Sequence, residues 1–325
     1  MVPVSMTPDS VHASEIRTNS RLHDLRVVNI VGVLFAFASF CAKGQDLEPR
    51  AYANTPVGLN FLVAGYGYTA GGVATDPALP IDDAQVEVHS SVVAYARSLD
   101  VFGKSAKFDM VLPYAWASGS ATALGKFRDR EISGFADPRL HFSVNLYGAP
   151  ALSMEEFAKY QQETIVGASL EVSAPGGQYD TNKVLNLGTN RWSIKPEIGI
   201  SKRLGPVTLE FAGGVRFYTN NDEFLGGKLR EQDPIYSVQG HLIYSLGHGI
   251  WAAVDGTYYT GGRSTVDGVK HDDLQKNSRL GATLALPVNR YNSVKLYFSS
   301  GVSARTGTNF DMAGIAWQYR FGGGL

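Results

Sequence analysis

The sequence predicts an all-β fold, a transmembrane antiparallel up-and-down β-barrel of about 12 strands with a short periplasmic helix. Three features predict it. Hydrophobic side chains recur at every second position, one face of each predicted strand carries no Asp, Glu, Lys or Arg, and short connections alternate with long ones. Charged residues make up 18% of the chain, which is low beside the roughly 25% of ordinary water-soluble domains.

Composition excludes several other classes of protein. The single cysteine rules out a disulfide framework and any zinc or iron–sulfur site built on cysteines. A net charge of −1 lacks the basic footprint of a nucleic-acid binder. Histidines are scattered without the spacing of metal ligands. We therefore expect no cofactor, no metal site and no nucleic-acid partner.

The first 44 residues have the features of a signal peptide. Residues 27–40 form an uncharged, largely apolar run that is too short for a spanning helix, and Arg17, Arg21 and Arg26 precede it. Ala42 and Gly44 supply the small residues of a cleavage site, so the barrel is predicted over 45–325. The stretch before the run is long for a signal peptide, which indicates a true start nearer Met6 or beyond. An uncleaved signal anchor and lipidation at Cys41 are the alternatives.

Residues 191–204 illustrate the alternation on which the strand predictions rest. Trp192, Ile194, Pro196, Ile198 and Ile200 share one face, while small, polar and charged residues share the other. Successive strand side chains point to opposite faces, so such a segment has one apolar and one polar side. The same test predicts strands at 57–69, 85–98, 105–117, 137–147, 163–174, 191–204, 206–218, 234–246, 249–261, 278–288, 292–303 and 312–321. Pro113 and Pro196 fall inside them and indicate a bulge or, more simply, wrong strand limits.

The connections between these strands predict the orientation of the barrel. Short turns near 100–104, 204–206, 247–249 and 289–291 alternate with long loops, and outer-membrane barrels place their short turns in the periplasm. One periplasmic connection, 148–162, is longer. It contains Ser153-x-x-Glu156, a capping-box pattern that predicts a short helix near 151–161.

Aromatic residues bracket the predicted apolar band on both sides. Trp116, Trp192, Phe217, Tyr236 and Tyr258 lie at the predicted outer end, and Phe108, Tyr244, Tyr319 and Phe321 at the periplasmic end. Aromatic rings favour the level of the lipid headgroups. The last strand, in which Ile315, Trp317, Tyr319 and Phe321 alternate with polar or small residues, resembles the terminal strand of outer-membrane barrels. We therefore expect location in the outer membrane of a Gram-negative bacterium, with outer-membrane lipid as the surroundings.

The inward faces are the only place that alternation leaves for function. Acids and bases are mixed there, which predicts ion pairs across the lumen. Such pairs either plug and stiffen a narrow barrel or border a path for a solute. The lumen-lining candidates are Glu87, Asp109, Asp137, Arg139, His141, Lys195, Glu197, Glu210, Arg216, Asp255, Arg279 and Lys295, and the same alternation places His89 and Arg97 beside them.

One constellation on the predicted inward face resembles an enzyme site. His141, Ser143 and Asn145 share a strand face, and the outer-membrane phospholipase is a twelve-stranded barrel that uses His, Ser and Asn in acyl hydrolysis. A lipase of bilayer phospholipid needs its nucleophile on the outer surface, whereas alternation points Ser143 inward. We therefore expect a protein that is not an enzyme and keep acyl hydrolysis as a minor alternative.

Three segments carry a resemblance to a known family. The stretch QDLEPRAYANTPVGLNFLVAGYGYTAGG from Gln45, GFADPRLHFSVNLYGAPALSMEEF from Gly134 and WSIKPEIGISKRLGPVTLEFAGGVRFYTNN from Trp192 resemble the meta-pathway phenol-degradation family of outer-membrane transporter-like β-barrel proteins. The resemblance implies a passive channel for small organic, aromatic or hydrophobic solutes. A structural or adhesive barrel without transport is the alternative. The sequence leaves the solute and the oligomeric state open.

Overall fold

Seventeen strands and one short helix make up the part of the chain that the computed structural model describes, residues 48–72, 81–123, 126–183, 185–307 and 309–325. The predicted signal peptide lies outside these residues. In chain order the elements are β1 Leu59–Gly72, β2 Ile81–Val101, β3 Lys104–Ala123, β4 Lys126–Phe135, β5 Arg139–Tyr147, α1 Met154–Phe157, β6 Thr164–Ser173, β7 Ser193–Leu204, β8 Val207–Tyr218, β9 Asn221–Phe224, β10 Lys228–Gln232, β11 Ile235–Gly247, β12 Ile250–Gly261, β13 Ser264–Val266, β14 Val269–Lys270, β15 Gln275–Pro287, β16 Asn292–Ala304 and β17 Asn309–Gly322.

Twelve of these strands close into one antiparallel barrel. The wall runs β1, β2, β3, β5, β6, β7, β8, β11, β12, β15, β16 and β17, and β17 returns to pair with β1 from Leu59↔Gly322 to Gly72↔Asn309. Each wall strand overlaps one of the twelve predicted strands. Up-and-down closure leaves no unpaired sheet edge in the bilayer, which is the condition for crossing a membrane with strands. The predicted fold class is therefore confirmed.

Five further strands lie in connections that the sequence analysis predicted as plain loops. Strand β4 extends the upper half of β3, with Tyr114 paired to Phe135, and β9, β10, β13 and β14 form a separate four-stranded sheet at the extracellular end. These last four are two to five residues long and largely polar. Such short segments carry no apolar alternation, so the test that found the wall strands passes over them.

Both strand prolines lie inside wall strands, at positions where the hydrogen-bond ladder to one neighbouring strand is interrupted. Pro113 lies in β3 between the last pair with β5, Val111↔Arg139, and the first pair with β4, Tyr114↔Phe135. Pro196 lies where the recorded pairing of β7 with β8 skips from Ile194 to Glu197. A proline has no N–H to donate, so it fits such a break without a lost bond.

The outer face of the wall is apolar across the bilayer. On β7, Ile194, Ile198 and Ile200 are exposed while the alternate residues Ser193, Lys195 and Ser201 are buried. Trp116 and Trp192 are exposed on the same outer surface at the predicted upper aromatic belt. An exposed band of large hydrophobic side chains is what hydrocarbon requires. The protein is therefore an outer-membrane barrel of a Gram-negative bacterium, set in lipid.

Helix α1 begins with the predicted capping box. Ser153 Oγ accepts a bond from the Glu156 amide at 3.3 Å, and the Ser153 amide donates to Glu156 Oε2 at 2.8 Å. The Ser153 amide, together with the Ser153 hydroxyl, which donates to Glu156 Oε2 at 2.7 Å, holds the pKa of Glu156 below its ordinary value. The connection crosses the periplasmic end of the barrel, where the Val57 amide donates to the Leu152 carbonyl at 2.8 Å. Within the described part of the chain, no helix has the length and apolar character needed to traverse a bilayer.

Candidate functional site

The chain that precedes β1 enters the barrel and fills the part of the lumen that is lined by charged side chains. This lumen segment, residues 48–58, forms no strand in the described structure, and at its end the Gly58 amide donates to the Ser98 carbonyl of β2 at 3.1 Å. Four consecutive residues in it, Tyr52, Ala53, Asn54 and Thr55, are at most 3% exposed although they lie outside the wall. The sequence analysis did not predict this segment inside the barrel, because nothing in its residue pattern distinguishes it from an ordinary periplasmic tail.

Hydrogen bonds to inward-facing charges anchor the start of the lumen segment. The Arg50 amide donates to Glu210 Oε2 at 2.6 Å, and Lys107 Nζ donates to the Ala51 carbonyl at 2.7 Å. The Arg50 guanidinium lies 5.5 Å from the centre of the Trp251 ring, within the range of a cation–π contact. Glu210, a predicted lumen-lining candidate, and Lys107 thus hold the lumen segment in place.

Tyr52 is the best-fitted side chain of the lumen segment. Its hydroxyl donates to Glu197 Oε1 at 3.0 Å. Its ring lies directly over Gly167 of β6 and Gly199 of β7, so close that a Cβ at either glycine would overlap the ring. These two glycines, paired with each other across the sheet, form the floor of a slot for the tyrosine.

The charges on the inward faces of β5, β6, β7 and β8 are paired with one another. Glu171 Oε1 lies 2.8 Å from Arg216 Nη2 and Glu171 Oε2 lies 3.7 Å from Arg139 Nη1, while Lys195 Nζ lies 2.8 Å from Glu197 Oε2. All five side chains are at most 17% exposed. Buried charges need such partners because an isolated ion in a low-dielectric interior is strongly disfavoured. The expected mixture of acids and bases is a set of ion pairs.

Two histidines are held by inward-facing aspartates. His141 Nδ1 lies 3.0 Å from Asp109 Oδ1, and His241 Nδ1 lies 2.7 Å from Asp255 Oδ1. Thr283 donates to the second oxygen of Asp255 at 3.1 Å. Each pair joins two neighbouring strands through their inward side chains, so these contacts add to the backbone hydrogen bonds between those strands.

The remaining candidates have separate positions in the lumen. Arg279 donates to the Phe310 carbonyl and to Ser299 Oγ, both at 2.9 Å, and its guanidinium stacks over the Phe310 ring. Lys295 is buried on the inward face of β16. Asp137 lies between β4 and β5, where its two oxygens accept from the amides of Gly177 and Thr189. Asp137 therefore fastens the extracellular loop between β6 and β7 and does not face the polar lumen.

Glu87, His89 and Arg97 are on the outer face of the barrel, so the prediction that they point into the lumen is wrong. On β2 the inward residues are Val86, Val88, Val92, Ala94 and Ala96, all buried, whereas Val93 is 62% exposed. The error has a physical cause. Both faces of β2 carry apolar residues, because its inward face packs against other apolar side chains, so alternation alone does not tell which face meets lipid.

This inward face belongs to an apolar half of the lumen that the sequence analysis missed. A lower cluster joins β1, β2, β3 and β17, and an upper cluster joins β2, β3 and β4 with the extracellular loop. The lower cluster consists of Leu59, Phe61, Val63, Val92, Ala94, Ala96, Val111 and Ala316. The upper one consists of Val86, Val88, Ala115, Ala117, Ile132, Ala136 and Leu187. The uncharged stretch of β2 from Val88 to Ala96 was the available signal.

The His141, Ser143 and Asn145 constellation faces the lumen, as alternation indicated. Ser143 and Asn145 are buried on the inward side of β5, and the outward residues Leu140, Phe142 and Leu146 are exposed. The described contacts of His141 go to Asp109. The serine is therefore separated from bilayer phospholipid by the wall itself.

Comparisons with known proteins give a family and a fold. A family model described as the MetA-pathway of phenol degradation matches residues 66–321. The structure is similar to an outer membrane channel from Pseudomonas putida F1, with a TM-score of 0.72, 21% identity, and coverage of 85% of this chain and 100% of that one. It is also similar to the translocator domain of the autotransporter NalP from Neisseria meningitidis, with a TM-score of 0.53, 10% identity, and coverage of 83% and 91%. No curated protein sequence matches the chain.

Proposed function

The chain belongs to this phenol-degradation family, and on that premise we propose that it is a passive outer-membrane channel for small organic solutes, aromatic or hydrophobic in character. The observation that carries the proposal is the filling of the lumen. One half is occupied by a separate segment, residues 48–58, that forms no part of the wall, and the other half is lined by apolar side chains. If the lumen segment moves, the barrel can open while the backbone hydrogen bonds between its wall strands stay intact.

The lumen segment is held by individual contacts and not by a strand ladder. Its recorded bonds to inward charges come from Arg50, Ala51 and Tyr52. Asn54 Nδ2 and the Val57 amide also donate, to the Pro150 and Leu152 carbonyls. A typical intramolecular hydrogen bond contributes about 1 kcal/mol net, so the attachment is a sum of separate small contributions. The wall, by contrast, is joined by continuous antiparallel pairing around the barrel. We infer that opening displaces the lumen segment and that solute then moves down its own gradient.

The inward direction of Ser143 supports a role other than acyl hydrolysis. A barrel that cleaves membrane lipid needs a nucleophile at the lipid surface, and the exposed neighbours of Ser143 are Phe142 and Leu146. Water and solute inside the lumen would be the only substrates within its reach. A channel needs no nucleophile, and His141 contacts Asp109 as part of the wall.

Conductance across a planar lipid bilayer tests the proposal through one glycine. Replacing Gly199 with Ala places a methyl group inside the space of the Tyr52 ring, so the ring must move out of its slot and the lumen segment loses its best-fitted contact. The matched control is Gly213→Ala on β8, where the nearest atoms to the new Cβ are 3.9 Å away. We expect Gly199→Ala to raise the open-state probability several-fold and Gly213→Ala to behave as the native chain. A structural or adhesive barrel would conduct under none of these conditions, and that result would overturn the proposal.

A further inference from the structure

We propose that the inward faces of β1, β2 and β3 form an apolar track that carries the aromatic body of an uncharged solute, and that apolar side chains close this track at both ends. The inference rests on the proposed channel function and specifies the surface that selects the solute. The apolar track is defined here by the inward residues Phe61 and Val63 of β1, Val88, Val92 and Ala94 of β2, and Val111 of β3.

The track is unusual for the interior of a membrane barrel. The lumen of a diffusion porin is polar because water fills it, and lipid-facing and lumen-facing residues alternate between apolar and polar. On β2 the six inward positions from Val86 to Ala96 hold five apolar residues and Ser90. Ser90 Oγ donates to the Gly67 carbonyl at 3.2 Å, so its polar group is turned to the neighbouring backbone.

The track is long enough to cross the membrane. Ten residue steps separate Val86 from Ala96, which amounts to about 33 Å of strand. With the usual tilt of barrel strands, that length covers roughly the 25 Å of an outer-membrane apolar band. The upper and lower clusters follow each other along the inward face of β2, where Ser90 alone separates Val88 of the upper cluster from Val92 of the lower one. An apolar surface therefore connects the two ends of the lumen.

Three side chains from outside the wall close the lower end. Met154 and Phe157 of α1 and the last residue, Leu325, pack against the lower cluster. Gly322, Gly323 and Gly324 all have positive φ, between 60° and 82°, a conformation that other residues rarely adopt. The turn brings Leu325 back under the barrel, where its amide donates to the Gly322 carbonyl at 3.2 Å. The chain end after the final strand thus serves as part of a floor.

Two leucines from the extracellular loop close the upper end. Leu187 belongs to the upper cluster, and Leu185 packs against it. Asp137 holds this loop through the amides of Gly177 and Thr189, at 3.0 and 2.9 Å. Both closures are made by short apolar contacts from segments that carry no wall pairing, so either can yield while the barrel stays intact.

The opposite wall determines which solutes the track accepts. Across the lumen lie the ion pairs of Glu171 with Arg216 and of Lys195 with Glu197, whose charges are already matched. A neutral aromatic solute replaces the contacts of the leucine, methionine and phenylalanine caps with contacts of its own. An ionised solute would leave water for a surface that offers it no partner, which is strongly unfavourable. The track therefore selects uncharged over charged aromatic solutes.

Photolabelling tests the track directly. The full chain in lipid nanodiscs is irradiated with 3-phenyl-3-trifluoromethyldiazirine or with its para-carboxylate, and labelled residues are identified by mass spectrometry. We expect the neutral probe to label inward Val63, Val92 and Val111, and the carboxylate to label them at least tenfold less. Val93 points outward from the same strand and reports labelling from lipid. Equal labelling by both probes, or labels on outward residues alone, would overturn the proposal.

A cap variant separates this inference from the channel function. Phe157→Ser removes an apolar cap side chain, whereas Glu155→Gln changes an exposed residue on the same helix. We expect Phe157→Ser to increase neutral labelling of Val92 severalfold and Glu155→Gln to leave it unchanged. If Gly199→Ala conducts but the track stays unlabelled in every variant, the track is wrong and the channel stands. If the track is labelled but no variant conducts, the binding surface is right and the channel is wrong.

Discussion

Glu171 shows at the scale of a single residue why this lumen can hold so many charges. One carboxylate meets two guanidinium groups, from Arg216 at 2.8 Å and Arg139 at 3.7 Å, on three strands of the same wall. Removing one member of a buried ion pair leaves the others without compensation, and typical losses are about 3–5 kcal/mol. The pairing is thus a requirement of burial more than a source of stability.

Replacing Glu171 with Gln therefore destabilises the barrel by about 3 kcal/mol. The matched control is Glu155→Gln, because Glu155 and Lys159 are 4.0 Å apart on the exposed helix and both side chains are at least 80% exposed. Such surface pairs contribute little, so no measurable change is expected there. The free energy of unfolding of each variant is measured by urea titration, with heat-modifiable gel mobility reporting the folded fraction. Similar losses in the two variants would show that Glu171 is not part of a buried network.

The orientation of β2 gives a second prediction at this scale. Val93 pairs with Leu112, midway between Phe108 and Trp116, and faces lipid. Val93→Lys should cost about 2–4 kcal/mol, as for a lysine at the bilayer midplane. Glu87→Lys lies beyond the aromatic belt and should fold like the native chain. Normal folding of Val93→Lys would instead place that face in the lumen, as the sequence pattern had indicated.

At the scale of elements, the wall strands could be predicted from the sequence, and the extracellular sheet could not. Hydrocarbon on one side of the wall imposes alternation of apolar and polar side chains over ten or more residues, as in β7 and β15. Each such strand can therefore be recognised from its own residues. Strands β9, β10, β13 and β14 are held by pairing between distant short segments, such as Arg230 with Val266. Their apolar content is too small and too local for periodicity to reveal them.

The capping box of α1 was predictable because its residues are local in sequence, and it leads to a pH prediction. Bonds from the Ser153 amide and hydroxyl hold the pKa of Glu156 below its ordinary value. The folded pKa is the lower one, so the cap is complete above the usual glutamate pKa of about 4.3 and is lost as pH falls through the lowered value.

Hydrogen exchange of the amides at 156–158 measures this cap. After correction for intrinsic exchange, their protection should be constant from neutral pH to about pH 5 and should fall in stronger acid. Ser153→Ala should lower protection at every pH, because an N-cap of this kind is worth about 1 kcal/mol. It should also reduce the acid step, because only the amide of residue 153 still donates to the Glu156 carboxylate. A step of undiminished size in Ser153→Ala would mean that another group titrates.

At the scale of the whole molecule, the sequence predicts a barrel but not what fills it. Alternation places side chains on faces without telling what meets them across the lumen. The fit of Tyr52 over Gly167 and Gly199 joins segments more than a hundred residues apart, and neither glycine differs in sequence from those elsewhere in the wall. For the same reason the sequence places charged candidates such as Asp109 and Asp255 on inward faces without indicating that each binds a histidine of the neighbouring strand.

The lumen segment closes the barrel at rest, and the apolar track admits uncharged aromatic solutes when the barrel opens. The most direct measurement is the initial rate at which radiolabelled toluene and benzoate enter porin-poor cells with an intact lipopolysaccharide layer. Cells carrying the native chain should take up toluene several-fold faster than cells with an empty vector, Gly199→Ala should be faster still, and benzoate should gain much less. Toluene entry that is unchanged by correctly inserted native chain and by Gly199→Ala would contradict the account.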